Sequence, residues 1–167
     1  MPYLIDSNIF IQAHRKYYPF DVMPGFWNAI KSAADQAKIF SVDKVRVELV
    51  DNGRDGDELA RFCKKELPKS FFLNSQEAIL EYGKVVNWAQ TSKRKFTTNA
   101  LSKFMATDYA DPWLVAYAIR KEGFIIVTEE KEDPLIRKDI PIPEVCKEFN
   151  LPWRNTISLL RELQIRL

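Results

Sequence analysis

The stretch DPWLVAYAIRKEGFIIVTEE, residues 111–130, decides the fold class. It opens with Asp111-Pro112, a pair typical of a helix start, and its helical half ends near Gly123, a residue typical of a helix end. The apolar run 124–127 then predicts a buried strand, which is followed directly by Thr128 and two acidic residues, Glu129 and Glu130. A helix that runs into a strand is one unit of an alternating α/β chain.

The same alternation continues on both sides of this unit. Further strands are predicted at Tyr3–Ile5, Ile39–Val42 and Pro152–Arg154. Helices are predicted from Ile9 to before Pro19, from Pro24 to Lys38, from Asp43 to Asp51 with Asn52-Gly53 as its break, from Pro143 to Phe149, and from Thr156 to Leu163. Residues 55–107 lack strand alternation and are predicted as a helical insertion. We therefore expect one α/β domain over residues 1–167, a parallel sheet sandwiched by helices.

Composition excludes several classes of protein. The chain has 167 residues, 46% of them hydrophobic and 29% charged, which is typical of one folded domain. His14 is the only histidine, so a site with several histidines is impossible, and the five glycines form neither a dinucleotide fingerprint nor a P-loop. Cys63 and Cys146 are expected to be core thiols. Asp6 interrupts any leader-like apolar stretch, and no run could span a membrane, so a cytoplasmic location without membrane contact is expected.

The charge is unevenly distributed, although the net charge is only +2. Residues 61–107 hold nine Lys and Arg against three Asp and Glu, whereas the segments before and after are slightly acidic. The basic segment includes Lys93, Arg94 and Lys95. It could be a solvated helical surface, or it could hold a polyanion next to an acidic metal site.

Acidic residues follow each predicted strand. Asp6 comes directly after the first strand, Glu48 lies on the helix after the second, Asp111 opens a helix, and Glu129 and Glu130 follow the strand at 124–127. Ligands of open parallel sheets bind beyond the carboxyl ends of the strands. Clustered carboxylates repel one another unless a cation neutralises them, and they suit hard cations such as Mg²⁺ and Mn²⁺.

Each acid also has a simpler interpretation. Asp6 and Asn8 could cap the following helix, and Glu48 could be an exposed helix charge. Asp111 could merely open its helix, with Asp108 as the alternative cap. The two glutamates of TEE could belong to a solvated acidic loop. The joint placement at strand ends is what favours a shared site.

Four segments resemble the signature segments of the PIN-domain family in order and spacing across the chain. They are YLIDSNIFI at residues 3–11, Glu48 after the second strand, ADPWLVAYA at residues 110–118, and IIVTEE at residues 125–130. PGFWNAI at residues 24–30 and the tail IPEVCKEFNLPWRNTISLLREL at residues 142–163 resemble a PIN-like branch that lacks a firm functional assignment. The resemblance implies an α/β metal-dependent nuclease. Many such proteins are VapC-type toxins that cut RNA and are inhibited by a small antitoxin protein, and dimers are common.

The resemblance also implies roles for individual residues. Asp6, Glu48, Asp111 and Glu130 match the four catalytic acids, the last because it stands two residues after Thr128, although Glu129 remains an alternative. Asp6 and Asp111 would bind one Mg²⁺ or Mn²⁺ directly, with the two glutamates acting through water or a second ion. Ser7, Asn8 and Thr128 would orient these ligands. Two features depart from the family pattern, namely the fourth acid, which is commonly Asp, and the long segment 55–107.

Three functions are consistent with the sequence. The leading hypothesis is an endoribonuclease that acts as the toxin of a toxin-antitoxin pair, with Lys93, Arg94 and Lys95 contacting the RNA backbone. Its partner would present an Arg or Lys to the acidic pocket and apolar side chains to aromatics in the stretch 17–27. A processing nuclease without toxicity would use the same site. A nucleic-acid-binding module without catalysis is disfavoured because all four acidic positions are filled, and a receiver-like phosphate site lacks the acid pair beside Asp6.

Overall fold

A computed structural model describes residues 1–51 and 57–167, and its centre is a sheet of five parallel strands. The strands are β1 (Tyr3–Ile5), β2 (Ile39–Val42), β3 (Phe72–Leu73), β4 (Ile125–Val127) and β5 (Trp153–Arg154), in the order β3-β2-β1-β4-β5. Every neighbouring pair is parallel. The predicted α/β class, with a parallel sheet flanked by helices, is confirmed.

Helices connect the strands at nearly the predicted places. They are α1 (Ser7–Gln12), α2 (Pro24–Asp35), α3 (Asp43–Arg46), α4 (Glu58–Lys65), α5 (Ile79–Thr91), α6 (Thr98–Phe104), α7 (Asp111–Arg120), α8 (Ile142–Glu148) and α9 (Thr156–Glu162). Two wider π-helical turns, Ala13–Tyr17 and Val47–Asp51, continue α1 and α3. Gly123 has φ +98 after α7, a left-handed conformation that glycine adopts without a steric penalty, as expected for a helix end.

One part of the prediction for residues 55–107 is wrong. Its helices are present, but β3 lies between them and adds a strand to the edge of the sheet. Phe72 pairs with Ser41 and Leu73 with Val42, so contacts with β2 create a strand too short to show alternation. The predicted break at Asn52-Gly53 and the first residues of the segment lie outside the described residues.

The strand order creates a crevice at the carboxyl ends of β1 and β4. The chain passes from β1 to β2 and β3 on one side, then crosses to β4 and β5 on the other, so the direction of winding reverses between β1 and β4. Ile5 and Val127 are in register, and both strands therefore end at the same level. The Asp6 N–H donates to the Val127 carbonyl at 3.0 Å, which fixes the start of the first loop against the end of β4.

A buried helix supports this crevice from inside the protein. All residues of α7 from Asp111 to Ala118 are buried, and its apolar side chains belong to the same hydrophobic core as Leu4 and Ile126 of the central strands. Full burial of a side chain such as Leu114 or Val115 contributes roughly 1.5 to 3 kcal/mol to folding, so the start of α7 is firmly held. Cys63 and Cys146 are buried free thiols, as predicted. No helix in the described ranges combines the length and apolar character needed to cross a bilayer.

Candidate functional site

Four carboxylates from separate segments converge at the crevice. They are Asp6 after β1, Glu48 in the π-helical turn after α3, Asp111 at the first position of α7, and Glu130 after β4. Burial, together with the nearby charges of Glu130 and Glu48, raises the pKa of Asp6 to about 7. The same causes, burial first and then the charges of Asp6, Glu130 and Glu48, hold the pKa of Asp111 well above its usual range.

Asp6 does not serve as a helix cap. It occupies the position before α1, but its side chain makes no capping hydrogen bond to that helix. Instead the Thr128 hydroxyl donates to Asp6 Oδ2 at 2.9 Å, and the Ser7 hydroxyl lies 3.4 Å from Oδ1. Asp6 is 2% exposed, so its carboxylate is buried and directed toward the end of β4.

Asn8 and Thr128 join the two loops that flank the crevice. The Asn8 amide N–H donates to Thr128 Oγ1 at 3.2 Å, and Asn8 Oδ1 accepts from the Glu129 N–H at 3.1 Å. Thr128 Oγ1 also accepts from the Glu130 N–H at 3.1 Å. Ser7, Asn8 and Thr128 therefore lie beside Asp6. Thr128 has one hydroxyl proton, and it donates that proton to Asp6.

The segment before α7 holds two of the acids at once. The Tyr109 hydroxyl donates to Asp111 Oδ2 at 2.7 Å, and the Ala110 N–H donates to Glu48 Oε1 at 3.2 Å. Glu48 is therefore half-buried and bound rather than an exposed helix charge. Asp108 does not cap α7, because its side chain is 73% exposed and approaches only Lys44, at 4.0 Å.

The structure distinguishes Glu129 from Glu130. Glu129 Oε1 accepts from both the N–H and the hydroxyl of Thr156, so this side chain is committed to the start of α9. Glu130 instead accepts from the Ile142 N–H at 2.6 Å and raises the pKa of Asp6 by its charge. Burial raises the pKa of Glu130 as well, partly offset by that hydrogen bond. Glu130 is therefore the glutamate that belongs to the acidic cluster.

The acidic cluster, defined as Asp6, Glu48, Asp111 and Glu130, lacks a protein cation in close contact. Within residues 1–51 and 57–167, no Lys, Arg or His nitrogen lies within 4.0 Å of any of its carboxylates. Burial and mutual repulsion disfavour ionisation of these acids, as the raised pKa values indicate, and a bound divalent cation would offset the repulsion. The all-oxygen donor set fits Mg²⁺ or Mn²⁺.

The side chains do not form a closed metal cage. Among the described residues, no three His, Cys, Asp or Glu side chains are arranged to hold an ion together. Each acid accepts at least one hydrogen bond from the protein: Asp6 from the Thr128 and Ser7 hydroxyls, and Asp111 from the Tyr109 hydroxyl. Mg²⁺ usually keeps several waters and binds through one or two carboxylates, so an ion held by two acids does not need such a cage.

The three predicted basic residues have different environments. The Arg94 guanidinium donates to Glu144 Oε2 at 2.8 Å and to the carbonyls of Asp133 and Ile136 at 2.8 and 3.0 Å. Its predicted contact with the RNA backbone therefore conflicts with its internal position, because three partners occupy the guanidinium. Lys93 and Lys95 are exposed.

The prediction missed two residues that shape the site. Tyr109 stands two residues before Asp111 and was not identified, although an aromatic hydroxyl next to a candidate ligand was a signal in the sequence. Glu144 lies in the predicted helix 143–149 and is not among the predicted site residues, yet it is 5% exposed and is the buried partner of Arg94. Nothing in the sequence links positions 94 and 144, which are brought together only by the fold.

Comparisons with known proteins place the chain in a family but give no activity. No curated protein and no solved structure matches it. One family model, described as a domain of unknown function (DUF4411), matches residues 3–167 and thus nearly the whole chain. The chain belongs to this DUF4411 family.

Proposed function

We propose that this protein is a metal-dependent nuclease of the PIN type that hydrolyses RNA phosphodiester bonds. The observation that carries the proposal is the acidic cluster itself. Its four carboxylates converge from four segments at the topological switch point of a parallel sheet, and no side-chain cation of the described residues pairs with them. An arrangement of this kind suits a site that binds a divalent cation and a phosphate group.

Asp6 and Asp111 are the residues that would hold the ion directly, and Glu48 and Glu130 would act through its waters. Bound Mg²⁺ or Mn²⁺ would supply a nucleophilic water at neutral pH and offset negative charge on the phosphate oxygens. Asp6 and Asp111 are the most buried of the four acids, with 2% and 6% of their surface exposed. They are therefore the two that gain most from a neutralising charge.

Neighbouring side chains orient the acids for this role. The Thr128 hydroxyl donates to Asp6 Oδ2, and the Tyr109 hydroxyl donates to Asp111 Oδ2. These two hydrogen bonds set the orientation of each carboxylate. The Ala110 N–H holds Glu48, and the Ile142 N–H holds Glu130. These donors lie at or next to the ends of β4, α7 and α8, so the acids are oriented before substrate binds.

Purified protein tests the nuclease proposal directly. We expect cleavage of single-stranded RNA in Mg²⁺ or Mn²⁺ and none in EDTA, with DNA oligonucleotides of the same sequence as a parallel substrate. Cleavage of DNA at an equal rate would favour a general processing nuclease. Binding of nucleic acid without cleavage in either metal would overturn the nuclease proposal and favour a binding module.

We also propose that the nuclease is a toxin with a small protein inhibitor. The acidic cluster supports this, because a guanidinium or ammonium from a partner could satisfy its carboxylates and exclude the metal. Expression of the chain alone in its host should then arrest growth, and Asp111→Asn at equal protein level should not. Normal growth with an active nuclease present would favour a processing role instead.

Lys93 and Lys95 are the residues of the basic segment proposed to contact RNA phosphates. We expect Lys93→Gln together with Lys95→Gln to weaken RNA binding and to flatten the plot of log affinity against log salt by about 0.7 per lost contact. The matched control is Lys64→Gln with Lys65→Gln, two exposed lysines of α4. Equal losses in both double variants would show a net-charge effect only.

Arg94→Gln should behave differently from the two lysine substitutions. It would leave the carboxylate of Glu144, whose side chain is 4% exposed, with only Lys147 and the Asp133 N–H as charged or polar partners. We therefore expect the free energy of unfolding to fall by about 1 to 3 kcal/mol, measured by urea denaturation. An unchanged stability would return Arg94 to the set of candidate RNA contacts.

A further inference from the structure

A cavity of about 260 Å³ lies directly beside the acidic cluster. Glu130 and Tyr109 line it, so it shares one member of the cluster and the tyrosine that donates to Asp111. The other walls come from α6 and from residues 131–141, the segment between β4 and α8. A substrate atom at the acidic cluster would therefore have this cavity as its immediate neighbour.

The cavity has the lining expected for a flat aromatic group. Tyr109 and Phe104 stand edge to face, with ring centroids 6.3 Å apart and planes at 64°. Ile136 and Ile140 add apolar surface from the segment 131–141. Phe104 and Ile140 are buried and form its floor, whereas Tyr109 and Ile136 are half-buried and present surface on which the apolar face of a base can stack.

The rim of the cavity carries cations that suit a phosphate backbone. Lys103 and Lys131 line it, and the Lys103 side chain is 60% exposed, with its Nζ 5.4 Å from the Tyr109 ring centroid. Lys103 Nζ also lies 3.5 Å from Asp139 Oδ1, a pair that is open to solvent and therefore easily exchanged for a phosphate contact. Apolar walls below basic side chains match a base and its attached phosphate.

The wall formed by residues 131–141 is held in place without a ligand. Arg94 donates to the carbonyls of Asp133 and Ile136, and the Thr97 N–H donates to the Arg137 carbonyl at 2.9 Å. The Ile142 N–H on Glu130 fixes the far end of the segment. The cavity is therefore preformed, which reduces the cost of binding.

We propose that this cavity is a subsite for one unpaired nucleobase of the nucleotide next to the scissile phosphate. The inference rests on the proposed nuclease function and deepens it by assigning a binding position to one base of the single strand. A base inside a duplex is stacked and paired, and it would have to be extruded before it could enter the cavity. Tyr109 links the two sites, because its ring lines the cavity and its hydroxyl donates to Asp111.

Equilibrium binding in EDTA tests the subsite without any cleavage. Fluorescein-labelled 12-nucleotide RNAs, each with a single abasic residue at a different position, would be compared with the intact strand and with its duplex. We expect one abasic position to lose roughly 5- to 150-fold in affinity, the range for one stacked base, and the duplex to bind less tightly than the single strand. The same series made with DNA shows whether the sugar contributes.

Two variants assign the effect to the cavity. Ile136→Trp should fill it, which should reduce affinity for the intact strand and shrink the difference between intact and abasic strands. Lys103→Gln should remove a cation from its rim and reduce affinity for intact and abasic strands alike. Lys138→Gln is the matched control, since Lys138 is exposed on the same segment but does not line the cavity. Lys103→Gln changes only an exposed side chain, so it remains informative if Ile136→Trp fails to fold.

The outcomes separate this inference from the nuclease proposal. Equal affinity for every abasic strand, an abasic effect that persists in Ile136→Trp, or an affinity that Lys103→Gln leaves unchanged would overturn the subsite even if RNA is cleaved in Mg²⁺. A position-specific abasic effect that Ile136→Trp removes would support the subsite even if no cleavage is found with any metal. Equal binding of duplex and single strand would also overturn it.

Discussion

Replacing Asp6 or Asp111 by asparagine should abolish metal-dependent cleavage while the protein stays folded. Each change removes one unit of negative charge from a buried carboxylate proposed to hold the ion. Loss of such a ligand costs on the order of a thousandfold in rate, or about 4 kcal/mol of transition-state stabilisation. The measurement is the single-turnover cleavage rate in Mg²⁺ and in Mn²⁺, together with the unfolding midpoint in EDTA.

The fold should tolerate both substitutions. An asparagine oxygen can still accept from the Thr128 hydroxyl at position 6 or from the Tyr109 hydroxyl at position 111. Asp108→Asn is the matched control, because its side chain is 73% exposed and lies only three residues before Asp111. Wild-type rates in both cluster variants, or an equal loss in the Asp108 variant, would contradict the assigned site.

The positions of the acids could be anticipated because parallel strands end at one edge of a sheet. Asp6 and Glu130 follow strands whose apolar runs were visible in the sequence, and their meeting follows from the pairing of β1 with β4. Asp111 was anticipated from the helix start and from the resemblance. The structure brings all three together with Glu48, as the raised pKa values of Asp6 and Asp111 show.

The choice between Glu129 and Glu130 required the fold. Both follow the same strand, and local sequence does not say which side chain turns toward the crevice. A contact far along the chain decides it, because Thr156 at the start of α9 engages Glu129 and leaves Glu130 for the cluster. The short strand β3 escaped prediction for a related reason, since its existence depends on the exposed edge of β2.

The charge composition of residues 61–107 predicted functional residues less well than the positions that follow the strands did. The excess of Lys and Arg in residues 61–107 suggested an RNA surface, yet Arg94 is used to fix the segment 131–141 and to pair with Glu144. Net charge counts side chains without regard to their partners. Only the fold shows which cations are committed inside the protein and which, such as Lys93 and Lys95, extend from its surface.

The stability of the metal-free protein should fall as pH rises through the neutral range. Asp6 has a pKa near 7 when folded and an ordinary value of 3.8, so the folded state binds this proton more tightly than the unfolded chain. Its stabilising effect is complete below about pH 4 and is lost progressively as pH rises to about 7. The raised pKa values of Asp111 and Glu130 act in the same direction.

The expected loss is on the order of 3 kcal/mol between pH 5 and pH 8 in EDTA, measured as the free energy of unfolding in urea. Glu162 has the opposite sign, because its hydrogen bonds to Tyr3 and Arg154 lower its pKa, but it titrates below this window. A saturating divalent cation should flatten the profile, since it binds the ionised carboxylates of the folded state and stabilises most at high pH.

Substitution of Asp6 distinguishes the pH dependence caused by the acidic cluster from the pH dependence caused by the rest of the chain. Asp6→Asn cannot take up the proton, so it should lose the part of the pH dependence in EDTA that Asp6 contributes, and most of the stabilisation by metal. Asp108→Asn should keep both, because the acidic cluster is intact in that variant. A wild-type stability that rises from pH 5 to pH 8 without metal would mean that the pKa values of these carboxylates are not raised in the folded protein. Burial and mutual repulsion would then not oppose their ionisation, and the argument for a neutralising cation would fail.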